Sequence, residues 1–424
     1  MWPGPYQFVT GPAGSGKTTL VRGWATHDDG FLLCATTGIA AVNLGDAVTV
    51  HSTLRYSTTE VLETMFEQGY LQSRMRKLRA AGVTRYGIDE VSMLNARTLT
   101  ILTYAIDELN SDAAVSMGHE PEVGITLIGD FLQLPPVGDL DAVTGKRKAE
   151  YAFESPEWPK YEKHTRWLQG THRQHDADFI TALRAVRVGN PEVALDILRP
   201  HIVPAIDRAY PGVTILGKNA QVDRANKMQF GMLKGDIVRF PAKITGKPEH
   251  HLNEWAKNIP IVCEMKIGAR VMILANKYGD HPGSESRQLM YANGDCGIFV
   301  DGNPGAKTAR VQLQRTGEIV TVTQNVRQHL KPTGARGKKK DAYEVLAEID
   351  YMPLRLAYSS SVHKSQGLTL DLVQVDISDP FFRSPAMTYV ALTRARTLEG
   401  LRIVGNPDLL LARCTVDPKV ERWR

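Results

Sequence analysis

The segment that most constrains this chain is a glycine-rich loop near its start, which fits the pattern G-x-x-x-x-G-K-[ST]. A short apolar run, Gln7 to Thr10, precedes the loop and reads as a β-strand, and a helical sequence follows it. Glycines let backbone N–H groups point at phosphates, and the helix N-terminus adds positive partial charge. The residues that we predict to hold the phosphates of ATP are Gly11, Pro12, Ala13, Gly14, Ser15, Gly16, Lys17, Thr18 and Thr19.

Four side chains of this region are predicted to act on the nucleotide. Lys17 is expected to reach the β- and γ-phosphates, and the hydroxyl of Thr18 to hold Mg²⁺. Asp89 and Glu90 follow the loop at a distance that suits a later strand of the same sheet. We predict that Asp89 binds Mg²⁺, directly or through water, and that Glu90 orients or deprotonates the attacking water. The predicted cofactors are therefore ATP and Mg²⁺.

A third polar element follows another apolar run. Gln133 lies just beyond Ile125 to Ile128, where its amide is placed to sense the γ-phosphate, although a plain turn is the alternative. One feature departs from the pattern, because Arg85 to Gly87, before the acidic pair, is less apolar than a central strand should be.

The first part of the chain alternates strands and helices, which predicts an α/β fold with a parallel sheet covered on both faces. Phe31 to Ala35 reads as a strand and Ala96 to Leu109 as a helix. The segment Thr58 to Ala81 breaks this rhythm. It reads as a helical insertion with a basic run at Arg74 to Arg79.

A second α/β unit is predicted from about residue 161, with a helix over Ala177 to Val188 and strands over Val213 to Leu216 and Val271 to Leu274. From Gly297 to Thr323 the pattern changes to short alternating strands with glycine turns, which predicts an inserted β-module with a hairpin. The basic loop after it, Gly334 to Lys340, is either solvated or in contact with phosphate.

The overall composition bounds the class of protein. A chain of 424 residues is expected to form two or three compact units. A net charge of +5 permits nucleic-acid binding without requiring it. The 4 cysteines form no Cys-x-x-Cys pair, which argues against a zinc site or a disulfide framework. With no membrane-length apolar run and no signal-like N-terminus, we expect a cytoplasmic, nucleoid-associated location and no membrane partner.

Taken in order, these residues resemble the superfamily 1B helicases, closest to the Pif1 and phage Dda group, with RecD as a more distant relative. The match runs nearly end to end. Its blocks are the glycine-rich loop, Thr36 to Ala41, Val50 to Ser52, Asp89 to Leu94, Gly129 to Pro136, Thr171 to Gln174, Asn293-Gly294, Val362 to Asp371 and Tyr389 to Arg396. The resemblance implies two RecA-like P-loop domains in tandem, with ATP between them. Domain 1A would span 1–160 with a 1B insertion at about 55–84, and domain 2A would span 161–424 with an SH3-like 2B insertion at about 297–345.

The resemblance also implies roles for second-domain residues at the nucleotide. Arg173 and Arg394 match the arginine fingers of the family, which stabilise charge on the transferred phosphate. Gln366 and the adjacent Gly367 match the position that links the nucleotide to the DNA. The family also has an N-terminal glutamine that reads adenine. Here Gln7 lies within the predicted strand, so the resemblance leaves the specificity for adenine open.

For DNA, the resemblance implies contacts to a single strand from both domains. The matching positions are Thr37, Gly38, His51, Asn293, His363 and Lys364. Hydroxyls, amides and cations that hold phosphates give affinity without sequence preference. Tyr56 is the candidate for the wedge that splits the strands in the 1B element.

The function implied is an ATP-dependent, 5′-to-3′ DNA helicase that translocates on single-stranded DNA. We expect a monomeric motor that acts on single-stranded, tailed or forked DNA and meets single-strand-binding, replication or repair proteins. The alternative is a DNA-stimulated ATPase that remodels protein–DNA complexes without separating strands. A small-molecule P-loop kinase would not explain the second-domain blocks. A nuclease-coupled subunit would need a further carboxylate cluster, which the sequence does not offer.

Overall fold

The computed structural model describes residues 4–44, 47–112, 115, 117–118, 121–136, 139–140, 147–148, 150–246, 259–280, 287–332 and 343–423. The chain forms two compact units. The first comprises Met1–His172, Leu330–Val345 and Trp423, and the second comprises Arg173–His329 and Leu346–Arg422, with Arg424. The basic loop predicted at Gly334 to Lys340 lies outside the described residues.

The first unit is built on a parallel sheet of six strands with the order β3-β2-β4-β5-β1-β8. Its strands are β1 Tyr6–Thr10, β2 Phe31–Ala35, β3 Val48–Thr49, β4 Arg85–Asp89, β5 Gly124–Gly129 and β8 Thr165–Trp167. Two short strands, β6 Asp139–Leu140 and β7 Arg147–Lys148, pair with each other. The residues of β1, β4 and β5 are all buried, as expected for central parallel strands.

The helices of the first unit are α1 Lys17–His27, α2 Gly38–Asn43, α3 Val50–Leu54, α4 Thr59–Glu67, α5 Tyr70–Ala80, α6 Ala96–Asn110 and α7 Trp158–Glu162. The predicted helical insertion is confirmed as α4 and α5, which pack on each other and on α6. Much of its basic run serves the fold. Arg74 donates from Nε and Nη2 to the carbonyl oxygen of Thr53, and Arg76 and Arg79 both bond Asp112.

The polar start of β4 is explained by its partners. Arg85 is only 5% exposed, yet its guanidinium donates to the carbonyl oxygen of Gly4 at 2.7 Å and to Oγ1 of Thr126 at 3.2 Å. Burial lowers the pKa of Arg85 to about 10. Gly87 lies against the ring of Phe31, where a Cβ would come within 2.4 Å of the ring. A central strand can therefore contain this arginine, because the guanidinium is satisfied by hydrogen bonds. The same bonds tie the N-terminal segment to the sheet.

The second unit contains a parallel sheet of five strands with the order β23-β10-β24-β25-β9. Its strands are β9 Ile202–Val203, β10 Val213–Leu216, β23 Ser359–Ser361, β24 Val373–Asp376 and β25 Leu401–Val404. The helices are α8 Ala177–Val188, α9 Pro191–Leu198, α10 Asn219–Met232, α11 Val362–Ser365, α12 Met387–Leu392 and α13 Pro407–Arg413. The helix predicted over Ala177 to Val188 has these same bounds.

Antiparallel strands follow β10 in the chain, most of them within the second unit. They are β11 Val238–Pro241, β12 Lys243–Gly246, β13 Val262–Met265, β14 Arg270–Ile273, β15 Lys277–Asp280, β16 Arg287–Tyr291, β17 Cys296–Asn303, β18 Thr308–Leu313, β19 Ile319–Thr323, β20 Asn325–Pro332, β21 Tyr343–Tyr351 and β22 Leu354–Leu356. The largest of these sheets has the order β19-β18-β17-β14-β22, and it contains the predicted hairpin as β18 and β19.

Two boundaries differ from the sequence-based prediction. Strand β14 was predicted as a strand of the second α/β unit, ahead of the β-module from residue 297. It pairs antiparallel with β17, so the antiparallel region begins well before residue 297. Strand β8 pairs with β1, so the first sheet continues past residue 160. In both cases strand pairing decides membership, and a single strand's sequence does not reveal its partner.

The 4 cysteines are free thiols. Cys34, Cys263 and Cys414 are buried and Cys296 is half-buried, and none forms a disulfide. Burial raises the thiol pKa of Cys34 to about 11 and that of Cys263 to about 12. Within the described residues, no three His, Cys, Asp or Glu side chains come together as a metal site. No helix in those parts of the chain is long and apolar enough to cross a membrane.

Candidate functional site

The glycine-rich loop joins the end of β1 to the start of α1, with Lys17 as the first residue of the helix. Lys17 is 8% exposed, and its Nζ donates to the carbonyl oxygens of Gly11 at 2.6 Å and Pro12 at 2.9 Å. The first turn of α1 contains no acidic residue, and no side chain caps its N-terminus. The exposed backbone N–H groups and the ammonium group therefore form a site suited to anions.

Glycine is required at two positions of this loop. A Cβ on Gly11 would lie 2.4 Å from the carbonyl oxygen of Leu168, so the backbone could not approach that closely with any other residue. Gly16 has φ of +84°, in the left-handed region, and precedes the helix. His172 lies beside the loop, since its N–H donates to the carbonyl oxygen of Gly14 at 2.7 Å.

Asp89 lies at the carboxyl end of β4, within reach of the loop. Oγ1 of Thr18 donates to Oδ2 of Asp89 at 3.2 Å, and the N–H of Glu90 donates to Oδ1 at 2.8 Å. Burial raises the pKa of Asp89, and the Glu90 N–H, Lys17 and Thr18 oppose that rise. The two side chains predicted to hold Mg²⁺ are thus adjacent, with oxygen donors of the type that this ion prefers.

Glu90 has an unusual backbone conformation. Its φ of +60° and ψ of +47° are left-handed, which is costly for a residue with a Cβ. Oγ1 of Thr36 donates to the carbonyl oxygen of Glu90 at 2.9 Å and supports this turn. Strained backbone conformations of this kind cluster at active sites, and Glu90 is the residue that the sequence predicts as the general base.

Gln133 follows the carboxyl end of β5, the strand that pairs with β1 in the same sheet. Asp130 organises the turn, because its Oδ1 accepts from the N–H of Leu132 at 3.1 Å and its carbonyl oxygen accepts from the N–H of Gln133 at 3.0 Å. Gln133 is buried at this edge. Parallel strands thus bring the glycine-rich loop, the acidic pair and this amide to one edge of the sheet.

The predicted DNA contacts of the first unit begin after β2. Thr37 accepts a hydrogen bond from the N–H of Ala40 through Oγ1 at 3.2 Å, just before Gly38 opens α2. His51 lies in α3 and is half-buried. Tyr56 was predicted as a wedge, and the structure contradicts this, because the side chain is 5% exposed and its ring lies 4.4 Å from that of His51.

In the second unit, Arg173 is half-buried beside two segments that the sequence also singled out. Its Nη1 donates to the carbonyl oxygen of Thr393 at 3.0 Å, and its Nη2 lies 3.5 Å from the carbonyl oxygen of Gly367. Gln174 is 2% exposed and donates to the carbonyl oxygens of Thr393 and Ala395. The sequence assigned no role to Gln174, and only its place beside Arg173 in the motif could have drawn attention to it.

Arg394 is only 1% exposed, and its guanidinium is committed to its own unit. Nε donates to the carbonyl oxygen of Val390 at 2.8 Å, and Nη1 donates to those of Ser365 at 3.2 Å and Leu368 at 3.4 Å. Nη2 donates to Oγ1 of Thr393 at 2.6 Å. Arg394 therefore joins the end of α12 to the segment that carries Gln366 and Gly367.

The remaining predicted residues lie in two places. His363 and Lys364 form part of α11, and burial lowers the pKa of His363. Gln366, 5% exposed, directly follows this helix. Asn293 lies in a turn of the antiparallel region, where its N–H donates to Oδ1 of Asn276 at 2.8 Å.

A strand–loop–helix with a buried lysine, a Thr–Asp pair and parallel neighbours defines the chain as a P-loop nucleotide-binding protein. The model of the PIF1-like helicase family matches residues 3–194. The ATP-dependent DNA helicase Pif1 of Bdellovibrio bacteriovorus is 30% identical over 425 residues, covering 97% of this chain and 86% of that protein. The chain belongs to the Pif1-like helicase family.

Further comparisons agree. The ATP-dependent DNA helicase PIF1 of Danio rerio is 31% identical, and the match covers 94% of this chain but 58% of that longer protein. The crystal structure of Pif1 from Candida albicans is similar with a TM-score of 0.65 at 26% identity, covering 99% of this chain and 94% of that one. Bacteroides Pif1 in complex with ADP-AlF3 and single-stranded DNA shares the fold, with a TM-score of 0.57 at 24% identity over 98% and 91% of the two chains.

Proposed function

We propose that this chain is an ATP-dependent DNA helicase that translocates 5′ to 3′ on single-stranded DNA. The observation that carries the proposal is the contact of Thr18 with Asp89 at 3.2 Å beside the buried Lys17. It assembles a phosphate site and an acidic site at one sheet edge. We further propose that the parallel sheets belong to two RecA-like domains and that the antiparallel strands contain an SH3-like 2B module.

The nucleotide site fits Mg²⁺ as well as phosphate. Thr18 and Asp89 would hold the ion, because a hydroxyl and a carboxylate oxygen already lie in mutual contact there. Bound Mg²⁺ neutralises charge on the phosphates. Lys17 would hold the β- and γ-phosphates, and its short contacts to Gly11 and Pro12 keep the ammonium group inside the loop.

In the proposed hydrolysis, Glu90 accepts a proton from the attacking water, and Gln133 orients that water or senses the γ-phosphate. Glu90 is the better candidate for the base because Asp89 is already engaged by Thr18 and by the N–H of Glu90. Arg173 stabilises the charge that develops on the transferred phosphate. Gln366 and Gly367 carry the response of the nucleotide site toward the DNA-binding residues.

The resemblance implied that Arg394 contacts phosphate, and we propose instead that it positions other residues. Each of its nitrogens donates to an oxygen of its own unit and the residue is only 1% exposed, so the side chain is held away from solvent where phosphate would arrive. We propose that Arg394 positions the segment of Gly367 and Thr393, to which Arg173 also bonds. Arg173 is then the primary finger.

DNA is proposed to bind along the residues that the family resemblance assigned, Thr37, Gly38 and His51 in the first unit and Asn293, His363 and Lys364 in the second. Burial keeps His363 neutral at physiological pH, so it would act as a hydrogen-bonding group. Single-stranded and forked DNA are the proposed substrates. Single-strand-binding, replication or repair proteins are the proposed partners of a monomeric motor.

A second candidate function is translocation without strand separation. The observation that favours it is the burial of Tyr56, which removes the wedge that the sequence offered. Unwinding of 5′-tailed duplexes, measured beside DNA-stimulated ATP hydrolysis, separates the two functions. Hydrolysis with unwinding supports the helicase, and hydrolysis without unwinding on any tailed or forked duplex supports the translocase.

Lys17→Ala tests the nucleotide site. We expect ATP turnover to fall below detection, because the variant has no ammonium group to hold the β- and γ-phosphates. Binding of a fluorescent single-stranded oligonucleotide should remain appreciable, since the DNA-binding residues lie elsewhere. Turnover at the rate of the unchanged chain would refute the assignment of the glycine-rich loop.

A further inference from the structure

The second unit contains a polar cavity of about 570 Å³, and of its lining residues the proposed function uses Asn293 alone. It forms where a turn at residues 292–295, a hairpin turn at residues 315–316 and the segment at residues 369–371 meet Arg396. Polar and charged side chains line most of it, namely Asn293, Asp295, Arg315, Thr369, Asp371 and Arg396. Two of these residues are arginines, and each has its own aspartate.

Arg315 is held from one side only. Its Nε donates to Oδ1 of Asp295 at 3.0 Å, and Oδ2 of Asp295 accepts from the N–H of Ala292 at 2.9 Å. The Asp295 side chain is 7% exposed and that of Arg315 is 30% exposed. The aspartate is thus fixed by the turn, and it fixes the direction of the guanidinium.

Arg396 is held in the same way. Its Nε donates to Oδ1 of Asp371 at 2.6 Å. The two residues are brought together by the backbone, because the N–H of Arg396 donates to the carbonyl oxygen of Leu370 at 2.9 Å and the N–H of Leu370 donates to that of Arg394 at 2.8 Å. The same backbone bonds connect this wall of the cavity to Arg394.

In both arginines the two terminal nitrogens have no hydrogen-bond partner among the described residues. Each guanidinium therefore presents a pair of terminal N–H donors whose orientation its aspartate sets. Such a fork matches the spacing of two oxygens on a phosphate. Asn293, Thr316 and Thr369 supply further polar groups around the cavity.

We propose that this cavity binds a phosphate group through the terminal nitrogens of Arg315 and Arg396. The aspartates leave room for a phosphate group, because each bonds its arginine through Nε alone. The two terminal nitrogens of each arginine still point N–H donors away from the aspartate. The phosphate belongs either to a DNA backbone or to a nucleotide, so the proposal rests on the proposed function and extends it. It assigns a role to two arginines and two aspartates that no part of the predicted site includes.

The test uses the full chain, and its main variant and control each delete a whole ion pair, so that in these two the net charge is unchanged and no carboxylate is left unpaired. The cavity variant carries Arg396→Ala and Asp371→Ala together. The matched control carries Arg310→Ala and Asp301→Ala, an exposed pair between β17 and β18 outside the cavity, in which both Nε and Nη2 of the arginine already bond the aspartate. Arg315→Ala, checked by its melting temperature, tests the other arginine.

Two measurements distinguish the sources of the phosphate. The affinity for an oligo-dT strand is measured as a function of salt, and the KM for ATP is measured with saturating oligo-dT. A DNA phosphate predicts that the affinity falls about three- to tenfold at 0.1 M salt, with a salt slope smaller by about 0.7 for each DNA phosphate that the variant no longer neutralises. A nucleotide phosphate predicts a KM raised about tenfold with an unchanged salt slope.

The control pair should match the unchanged chain in both measurements. If folded cavity variants match it as well, the cavity binds neither phosphate and the proposal is overturned. Failure of the proposed function looks different, because the unchanged chain itself would then show neither oligo-dT binding nor ATP hydrolysis.

Discussion

At the scale of single residues, the structure separates two arginines that the sequence treated alike. Arg173 is half-buried and bonds two carbonyl oxygens at the edge of its unit. Arg394 is buried and bonds four oxygens. Burial with hydrogen bonds to several oxygens of one unit is typical of a residue that holds structure, whereas a half-buried guanidinium lies closer to solvent and to a ligand.

Arg394→Ala is therefore expected to destabilise the second unit by about 2–5 kcal/mol, because a large buried side chain is removed and the carbonyl oxygens of Ser365, Leu368 and Val390 each lose one donor. Arg173→Ala should change stability by about 1 kcal/mol or less and lower DNA-stimulated hydrolysis strongly. Thermal unfolding and steady-state ATPase assays check both. An Arg394→Ala chain with unchanged melting temperature and no hydrolysis would show that Arg394 acts on phosphate itself.

Arg55 offers a second prediction at this scale. It caps α3 with φ of +66° and ψ of +43°, a left-handed conformation that a residue with a Cβ adopts at a cost. Arg55→Gly should raise the free energy of unfolding by up to about 1 kcal/mol, because glycine adopts this conformation without strain. Arg55→Ala keeps the Cβ and should give no gain. Urea unfolding of both variants measures the difference, and equal stability of Gly and Ala would contradict the strain.

At the scale of elements, ion pairs attach α5 to the end of α6. Arg79, with a side chain 5% exposed, bonds Asp112 at 3.0 Å and the carbonyl oxygen of Leu109 at 2.9 Å, and Arg76 bonds Asp112 from the surface. The Arg76 guanidinium, aided by Arg79, holds the pKa of Asp112 below its ordinary value. The basic run of the insertion is thus part of the first unit's packing.

Asp112→Asn should lower the free energy of unfolding by about 1–2 kcal/mol at neutral pH, because the buried Arg79 loses its charged partner. A carboxyl whose pKa is depressed by folding stabilises the fold above its unfolded pKa of about 4, and the effect disappears as pH falls through the folded pKa. The difference between the two chains should therefore be constant from about pH 5 to 8 and shrink below about pH 4.

Urea unfolding at several pH values measures this difference. Asp301→Asn is the control, because its arginine partner is exposed and the substitution should change stability little. A difference that grows toward low pH would contradict the assigned ion pair.

The elements that the sequence predicted well are those that local sequence patterns determine. The strand Phe31–Ala35 and the helix Ala177–Val188 have the predicted bounds. The glycine-rich loop, Asp89 and Gln133 were placed at one sheet edge because parallel strands bring their carboxyl ends together. Asp176 caps the helix by accepting from the N–H of Phe179 at 2.9 Å, a signal that the sequence carries directly.

The elements that it missed depend on partners distant in the chain. Nothing within Val271 to Leu274 reveals that β14 joins the antiparallel region, and nothing in Arg166 or Trp167 reveals pairing with β1. Tyr56 is buried with the ring of His51 4.4 Å from its own, and the exposure of an aromatic residue depends on such neighbours. Arg85 made β4 look too polar for a central strand, and only the hydrogen bonds to Gly4 and Thr126 explain how it can be buried there.

At the scale of the whole molecule, two α/β units, a phosphate-binding loop and membership of the Pif1-like family support one account. The first unit carries most of the proposed nucleotide site, and both units carry predicted DNA contacts. A motor of this kind must couple the two, so DNA binding should change the rate of hydrolysis. The net charge of +5 is modest, so we expect the affinity for DNA to come from local contacts to phosphates. This affinity should weaken steeply with salt.

The most direct test of this coupling is steady-state ATP hydrolysis by the full chain in Mg²⁺, with and without single-stranded DNA. The account predicts slow hydrolysis alone, strong stimulation by the DNA, and no hydrolysis by Lys17→Ala under either condition. Hydrolysis that is absent, or that proceeds at the same rate with and without single-stranded DNA, would contradict the claim that this chain is an ATP-driven motor coupled to DNA.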